Sequence, residues 1–204
     1  MIKMPFPLRA YLAGFALAAL GTSSAFAGPV TRIDFDNVRD KTDVRIQYQS
    51  SGVVFSCEGA PCVSFKGRNR VFARATPNTA SSPNSVTPVL QGVAGVSDAS
   101  TGRVVATFAV PVISVSVDAK SVLVPEPLNQ TGYANMVAFD KNGAVVGTAT
   151  GTQLNAFQTL TVKTQGAAIA KVSLGVTSAV AVAVFDNLVF EQGKKPPFGT
   201  ILDR

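Results

Sequence analysis

Two short stretches near opposite ends of the chain repeat the order aromatic, acid, amide. "RIDFDN" spans residues 32–37 and "FDNL" spans residues 185–188. In a strand, successive side chains point to opposite faces. Asp34 and Asp36 then lie opposite Ile33 and Phe35. Asp186, inside the apolar run "VAVFDNLVFE" (182–191), falls in phase with Val184, Leu188 and Phe190. An unpaired carboxylate in a core is very costly, so Asp186 needs a partner. First and last strands are commonly neighbours in antiparallel sandwiches, and that pairing would gather all three acids. One answer is a structural calcium ion held by Asp34, Asp36 and Asp186, since calcium takes about six to eight oxygen ligands. The other is hydrogen bonding, from backbone N–H groups at a turn or bulge or from an arginine such as Arg32.

Other chemistry is narrowed by what the chain lacks. It has no histidine, which removes Ser-His-Asp and Cys-His machinery. It has no G-x-S-x-G, no phosphate-binding G-x-x-x-x-G-K-[ST] and no H-E-x-x-H. Glycoside hydrolysis needs two carboxylates roughly 5 to 9 Å apart, and the 12 acids are scattered along the chain. The expectation is a protein without catalytic residues. "DKNG" (140–143) reads as a hairpin turn with Gly143 at positive φ rather than the start of a calcium loop. "KGRNRVFAR" (66–74) sets Lys66, Arg68 and Arg70 on one face of a strand. Such a stripe suits an acidic polysaccharide or a lipopolysaccharide phosphate, or else a solvated edge that resists aggregation. Sugar sites favour flat aromatic platforms. With no Trp, Tyr48 and Tyr133 are the remaining candidates, joined by Arg68 and Arg70 as ligand-binding residues.

Residues 1–27 read as a signal peptide. Lys3 and Arg9 precede the apolar run "AYLAGFALAAL" (10–20), and Ala25-Phe26-Ala27 offers cleavage after Ala27. The run is short of the roughly 20 residues that span a bilayer, and no later segment would span one. The expected location is secreted or periplasmic. The leader holds two of the 18 basic residues and none of the 12 acidic ones. The rest is only mildly basic, which argues against nucleic acid as a partner. In an exported chain the close pair Cys57 and Cys62, in "CEGAPC" (57–62), reads as a disulfide closing a tight loop.

The elements that must position these residues are strands. Short β-branched runs recur at 30–35, 52–57, 62–65, 68–75, 102–110, 112–119, 132–140, 144–150, 158–164, 168–176 and 181–190, bounded by Gly, Pro, Asn or Ser. No helical period follows the leader. About ten antiparallel strands predict an all-β sandwich of jelly-roll type over residues 28–192, with 193–204 as a loose tail. Residues 76–88, "TPNTASSPNSVTP", read as a loop, because three prolines remove ladder donors.

A family resemblance rests on short motifs. They are "IDFDNVRDKTDVRIQYQSSGVVFS" (33–56), "SSPNS" (81–85), "GYANMVAFDKNGAVVGT" (132–148) and the closing "FDNLVF" (185–190). Together they resemble exported bacterial jelly-roll modules, galactose-binding-like and carbohydrate-binding-module-like, of the kind found in PEP-CTERM-anchored proteins. The anchor itself is absent from this sequence. The resemblance implies a secreted, non-catalytic module that binds a glycan or cell-envelope component. It also implies a structural calcium between Asp34 or Asp36 and Asp186. The alternative is a structural or protein-interaction component of an extracellular matrix or surface layer, and after that a glycan-active enzyme.

Overall fold

The computed structural model describes residues 28–59, 71–75, 80–81, 84–87, 102–123, 132–165, 168–177 and 181–193. The leader, Cys62, Arg68, Arg70 and the tail beyond residue 193 lie outside them. The described chain forms ten strands: β1 (Val30–Ile33), β2 (Val53–Glu58), β3 (Phe72–Ala75), β4 (Asn84–Thr87), β5 (Arg103–Leu123), β6 (Ala134–Phe139), β7 (Val145–Thr150), β8 (Gln158–Lys163), β9 (Ile169–Val176) and β10 (Ala181–Gln192). Every pairing is antiparallel. The result is the all-β antiparallel sandwich that the strand pattern predicts. No helix among the described residues is long and apolar enough to cross a membrane.

One strand organises both layers. β5 runs for 21 residues, whereas the sequence suggested separate strands at 102–110 and 112–119. Its first half lies between β2 and β9, and β9 continues to β6 and β7. Its second half lies between β10 and β8. Pro111 stands where the strand passes from one layer to the other, and the β9 register shifts between Thr107 and Val112. A proline breaks a ladder because it has no N–H to give. Here it occupies the crossing, where neither ladder needs that donor.

The two layers enclose a single apolar core. Alternate residues of each strand point inward, among them Val104, Ala106, Val115 and Val117 of β5, Met136 of β6, Leu174 of β9, and Phe185, Leu188 and Phe190 of β10. Burying a side chain of this size stabilises the fold by about 1.5–3 kcal/mol. The expected turn at "DKNG" is present. Asp140 Oδ1 accepts the N–H groups of Asn142 and Ala144, both at 2.8 Å, and Gly143 has φ 83°.

Two elements depart from the sequence reading. Asn84–Thr87, inside the expected 76–88 loop, is a buried strand between β3 and β10. Its four residues follow Pro83 and stop before Pro88, so the prolines bound the strand without entering it. The second departure is in β10, where the alternation itself breaks. Asp186 pairs with Asp118, but Val189 pairs with Ser116. Three steps on β10 therefore match two on β5, which is a bulge. Asn187, at φ 47°, absorbs the extra residue. Asp186 does not share the inward phase of Leu188 and Phe190.

Candidate functional site

The outer edge of β10 is shared by two partners. β1 pairs with residues 188–191 and β4 pairs at Phe185. Asp186 stands at the junction between them, fully buried. Its Oδ2 accepts the Ser81 N–H at 2.7 Å and its Oδ1 accepts the Asn187 N–H at 2.7 Å. The Ser81 hydroxyl lies 3.0 Å from Oδ1 and 3.3 Å from the Asp34 carbonyl oxygen. Both carboxylate oxygens face donors, so no cation is needed to satisfy them. Burial pushes the Asp186 carboxyl above its ordinary value. The Ser81 and Asn187 donors pull it back, and the nearby Asp36 charge pushes it further up.

The two Phe-Asp-Asn stretches do meet, as the strand-neighbour reasoning required. Phe35 has φ 62°, which ends β1 and turns the chain toward β4. Asp34 Oδ1 then accepts the Asp36 N–H at 3.2 Å. Asp36 Oδ1 accepts the Asn84 N–H at 3.1 Å, and Asn84 Nδ2 donates to the Val38 carbonyl at 2.6 Å. Ser81 and Asn84 of "SSPNS" therefore engage the acids of both ends. Among the described residues, no three His, Cys, Asp or Glu side chains are grouped to hold a metal.

The aromatic candidates have different fates. Tyr48 is buried, packed edge-on against Phe35 and Phe55 with ring centroids 5.5 and 6.2 Å away. Its hydroxyl donates to Asn37 Oδ1 at 2.8 Å. This corrects its expected place as an exposed platform: the ring belongs to the core. Burial, with the Asp34 and Asp36 charges, pushes its hydroxyl up to about 12. Tyr133 is half-buried just before β6, and its N–H donates to Thr177 Oγ1 at 3.0 Å. Cys57 is buried in β2, one residue before its end, and no free cysteine occurs among the described residues. Its expected partner, Cys62, lies outside them.

A polar constellation that the sequence did not single out lies on the outward face of β1, β10, β5 and β8. Arg32 Nη2 donates to Asn187 Oδ1 at 2.7 Å. Asn187 Nδ2 donates to Asp118 Oδ2 at 2.9 Å, and Thr159 Oγ1 donates to Asp118 Oδ1 at 2.6 Å. One hydrogen-bonded row thus crosses four strands. Beside it Ser116 and Thr161 share a hydrogen bond of 2.9 Å, and Lys120 Nζ sits 5.8 Å from the Phe157 ring centre. The signal for this face was present in "SVSVDAK" (114–120), where the residues alternating with Val115, Val117 and Ala119 are all polar.

No family model and no curated relative matches the chain. Several solved structures are similar at low identity. One is the CBM22-1 xylan-binding domain from Paenibacillus barcinonensis Xyn10C, at 13% identity and TM-score 0.45, covering 83% of this chain and 98% of that one. Another is a family 6 carbohydrate-binding module, at 9% identity and TM-score 0.38, covering 80% of this chain and 94% of that one. The CBM22-1-CBM22-2 tandem domain from the same Paenibacillus protein is similar at 13% identity and TM-score 0.44. There 84% of this chain aligns with 48% of that one.

Proposed function

We propose that this chain is an exported, non-catalytic β-sandwich module whose outward β1–β10–β5–β8 face binds a glycan or another hydroxyl-rich component of the cell envelope. The row Arg32–Asn187–Asp118–Thr159 carries this reading. Sugar hydroxyls both donate and accept, and the row offers the exposed Arg32 guanidinium and Thr159 hydroxyl as complements, held in place by the buried Asn187 amide and the Asp118 carboxylate. All four sit on or beside strands, so their spacing is fixed before a ligand arrives. Asp36 and Asp186 are given structural roles, joining the chain ends to the strand that follows "SSP".

Export rests on the leader pattern of residues 1–27. The Cys57–Cys62 bridge belongs to the same reading, because an oxidising compartment favours it. A structural calcium is proposed at Asp34 and Asp36. Their Oδ1 atoms accept backbone N–H groups, leaving the Oδ2 atoms as hard oxygen ligands of the kind calcium takes.

The test is a panel of immobilised neutral and acidic polysaccharides. Wild type is compared with the double variant Thr159→Ala, Thr161→Ala. Retention that drops in the variant, at an unchanged melting temperature, supports the reading. A panel on which wild type is never retained overturns it.

A further inference from the structure

Resting on that reading, we infer that the glycan is an acidic one and that Arg32 receives its carboxylate. Asn187 holds φ 47°, a left-handed conformation that few residues with a Cβ adopt, though Asn tolerates it better than most. Such conformations persist where the surrounding structure over-determines them, often at sites that present a group. Here the bulge points the Asn187 amide along the outward face. Its Nδ2 is tethered to Asp118, and Asp118 is tethered in turn to Thr159. The amide is thereby fixed with Oδ1 toward β1, where it receives Arg32 Nη2 at 2.7 Å.

The tethered guanidinium is exposed and has no carboxylate partner among the described residues. Arg45, by contrast, is paired with Asp43 at 2.9 Å. The nearby acids do not pair with Arg32: Glu191, which faces Val30 two residues along β1, makes no ion pair with it. Asp118 gives its two oxygens to Asn187 and Thr159, and Asp34 Oδ1 faces the Asp36 N–H. Arg32 therefore presents its remaining N–H groups to solvent from a fixed position. A planar guanidinium fork matches a carboxylate with two parallel hydrogen bonds. Lys120 and Lys163 share this face with Asp118 and Glu191, so an anionic polymer is drawn chiefly to Arg32, with the two lysines beside it. A uronate polysaccharide supplies both parts, carboxylates for the fork and hydroxyls for the row.

The experiment measures affinity of the full chain for polygalacturonate and for a neutral galactan, at low and raised salt. Wild type is expected to prefer polygalacturonate, with affinity falling as salt rises. Arg32→Gln should weaken that binding about tenfold, the loss of one charge-assisted contact. Arg32→Lys should recover part of it, since charge returns without the fork. Lys141→Gln, in the distant β6–β7 turn, should match wild type. Equal binding of both polymers, or an Arg32→Gln variant that binds like wild type, overturns the acidic assignment and leaves the glycan reading standing. A Lys141→Gln loss as large as that of Arg32→Gln overturns the assignment too, because net charge alone then explains the binding. Binding to neither polymer overturns the acidic assignment, and the wider polysaccharide panel then decides the glycan reading.

Discussion

Ser81 and Asp186, 105 residues apart in sequence, meet through a backbone N–H bond of 2.7 Å and through the serine hydroxyl. The contact ties the end of the chain to the segment that leads into β4. Asp186→Ala should leave the Ser81 and Asn187 N–H groups without their acceptor. Orphaned buried donors cost about 1–3 kcal/mol each. Ser81→Ala keeps the backbone donor and loses only the hydroxyl, for about 1 kcal/mol. Urea unfolding of both variants should show the larger drop for Asp186→Ala, and the reverse order would contradict the geometry.

The same carboxyl sets a pH dependence. Its folded value is raised by burial above the ordinary 3.8. Between those two values the folded chain holds a proton that the unfolded chain has released. Stability from this group is therefore full below the ordinary value and falls as pH rises through the folded value. Relative to Asp186→Asn, wild type should gain stability as pH is lowered across that window. A difference between the two proteins that stays flat with pH would count against the shift.

Tyr48 gives a second titration, at the alkaline end. Its hydroxyl is pushed from 10.0 up to about 12. Between these values the folded state retains the proton and the unfolded state loses it, so stability falls as pH rises. Ultraviolet titration of the native protein should show a tyrosine ionising near 12, absent in Tyr48→Phe. The stability profile of Tyr48→Phe should be flatter from pH 10 to 12.

Much of this arrangement is written in local patterns, and some of it is not. The runs around 53–58, 134–139, 145–150 and 158–163 are legible because each alternates and ends in turn residues. The meeting of Asp36 and Asp186 follows from placing first and last strands side by side. Strict alternation misplaces Asp186, because the Asn187 bulge is a pairing event between β10 and β5 and leaves no local trace except an Asn. Pro111 misleads for a similar reason: it reads as a break, and only the two-layer topology supplies a place where a missing donor costs nothing. Asn84–Thr87 is a strand because β3 and β10 lie on either side of it, which no window of sequence contains. Tyr48 looks like a platform by type, and becomes core because η1 (Gln49–Ser51) and the chain before it fold over Phe35 and Phe55.

Calcium supplies a separate prediction. If Asp34 and Asp36 hold the ion, added calcium should raise the melting temperature and a chelator should lower it, since a ligand of the native state stabilises it. The calcium response should vanish in Asp36→Asn. A wild-type melting temperature indifferent to both additions removes the ion from the proposal.

Packing between the layers can be probed at Gly147 of β7. A Cβ built there would lie 2.5 Å from Val162 Cγ1 of β8, closer than any real contact. Gly147→Ala should cost about 1–3 kcal/mol through overpacking. Adding Val162→Ala should return part of that loss, because it removes the opposing methyl. Two independent, additive losses in the double variant would mean that the residues do not meet.

The continuous β5 strand has a consequence for how the domain comes apart. Its 21 residues are a structural member of both layers. Melting either layer strips partners from the strand that the other layer needs. The slowest-exchanging amides of β2 and β9 should therefore open together with those of β10 and β8, in a single all-or-none event. Two distinct protection levels, one for each layer, are the behaviour this shared strand forbids.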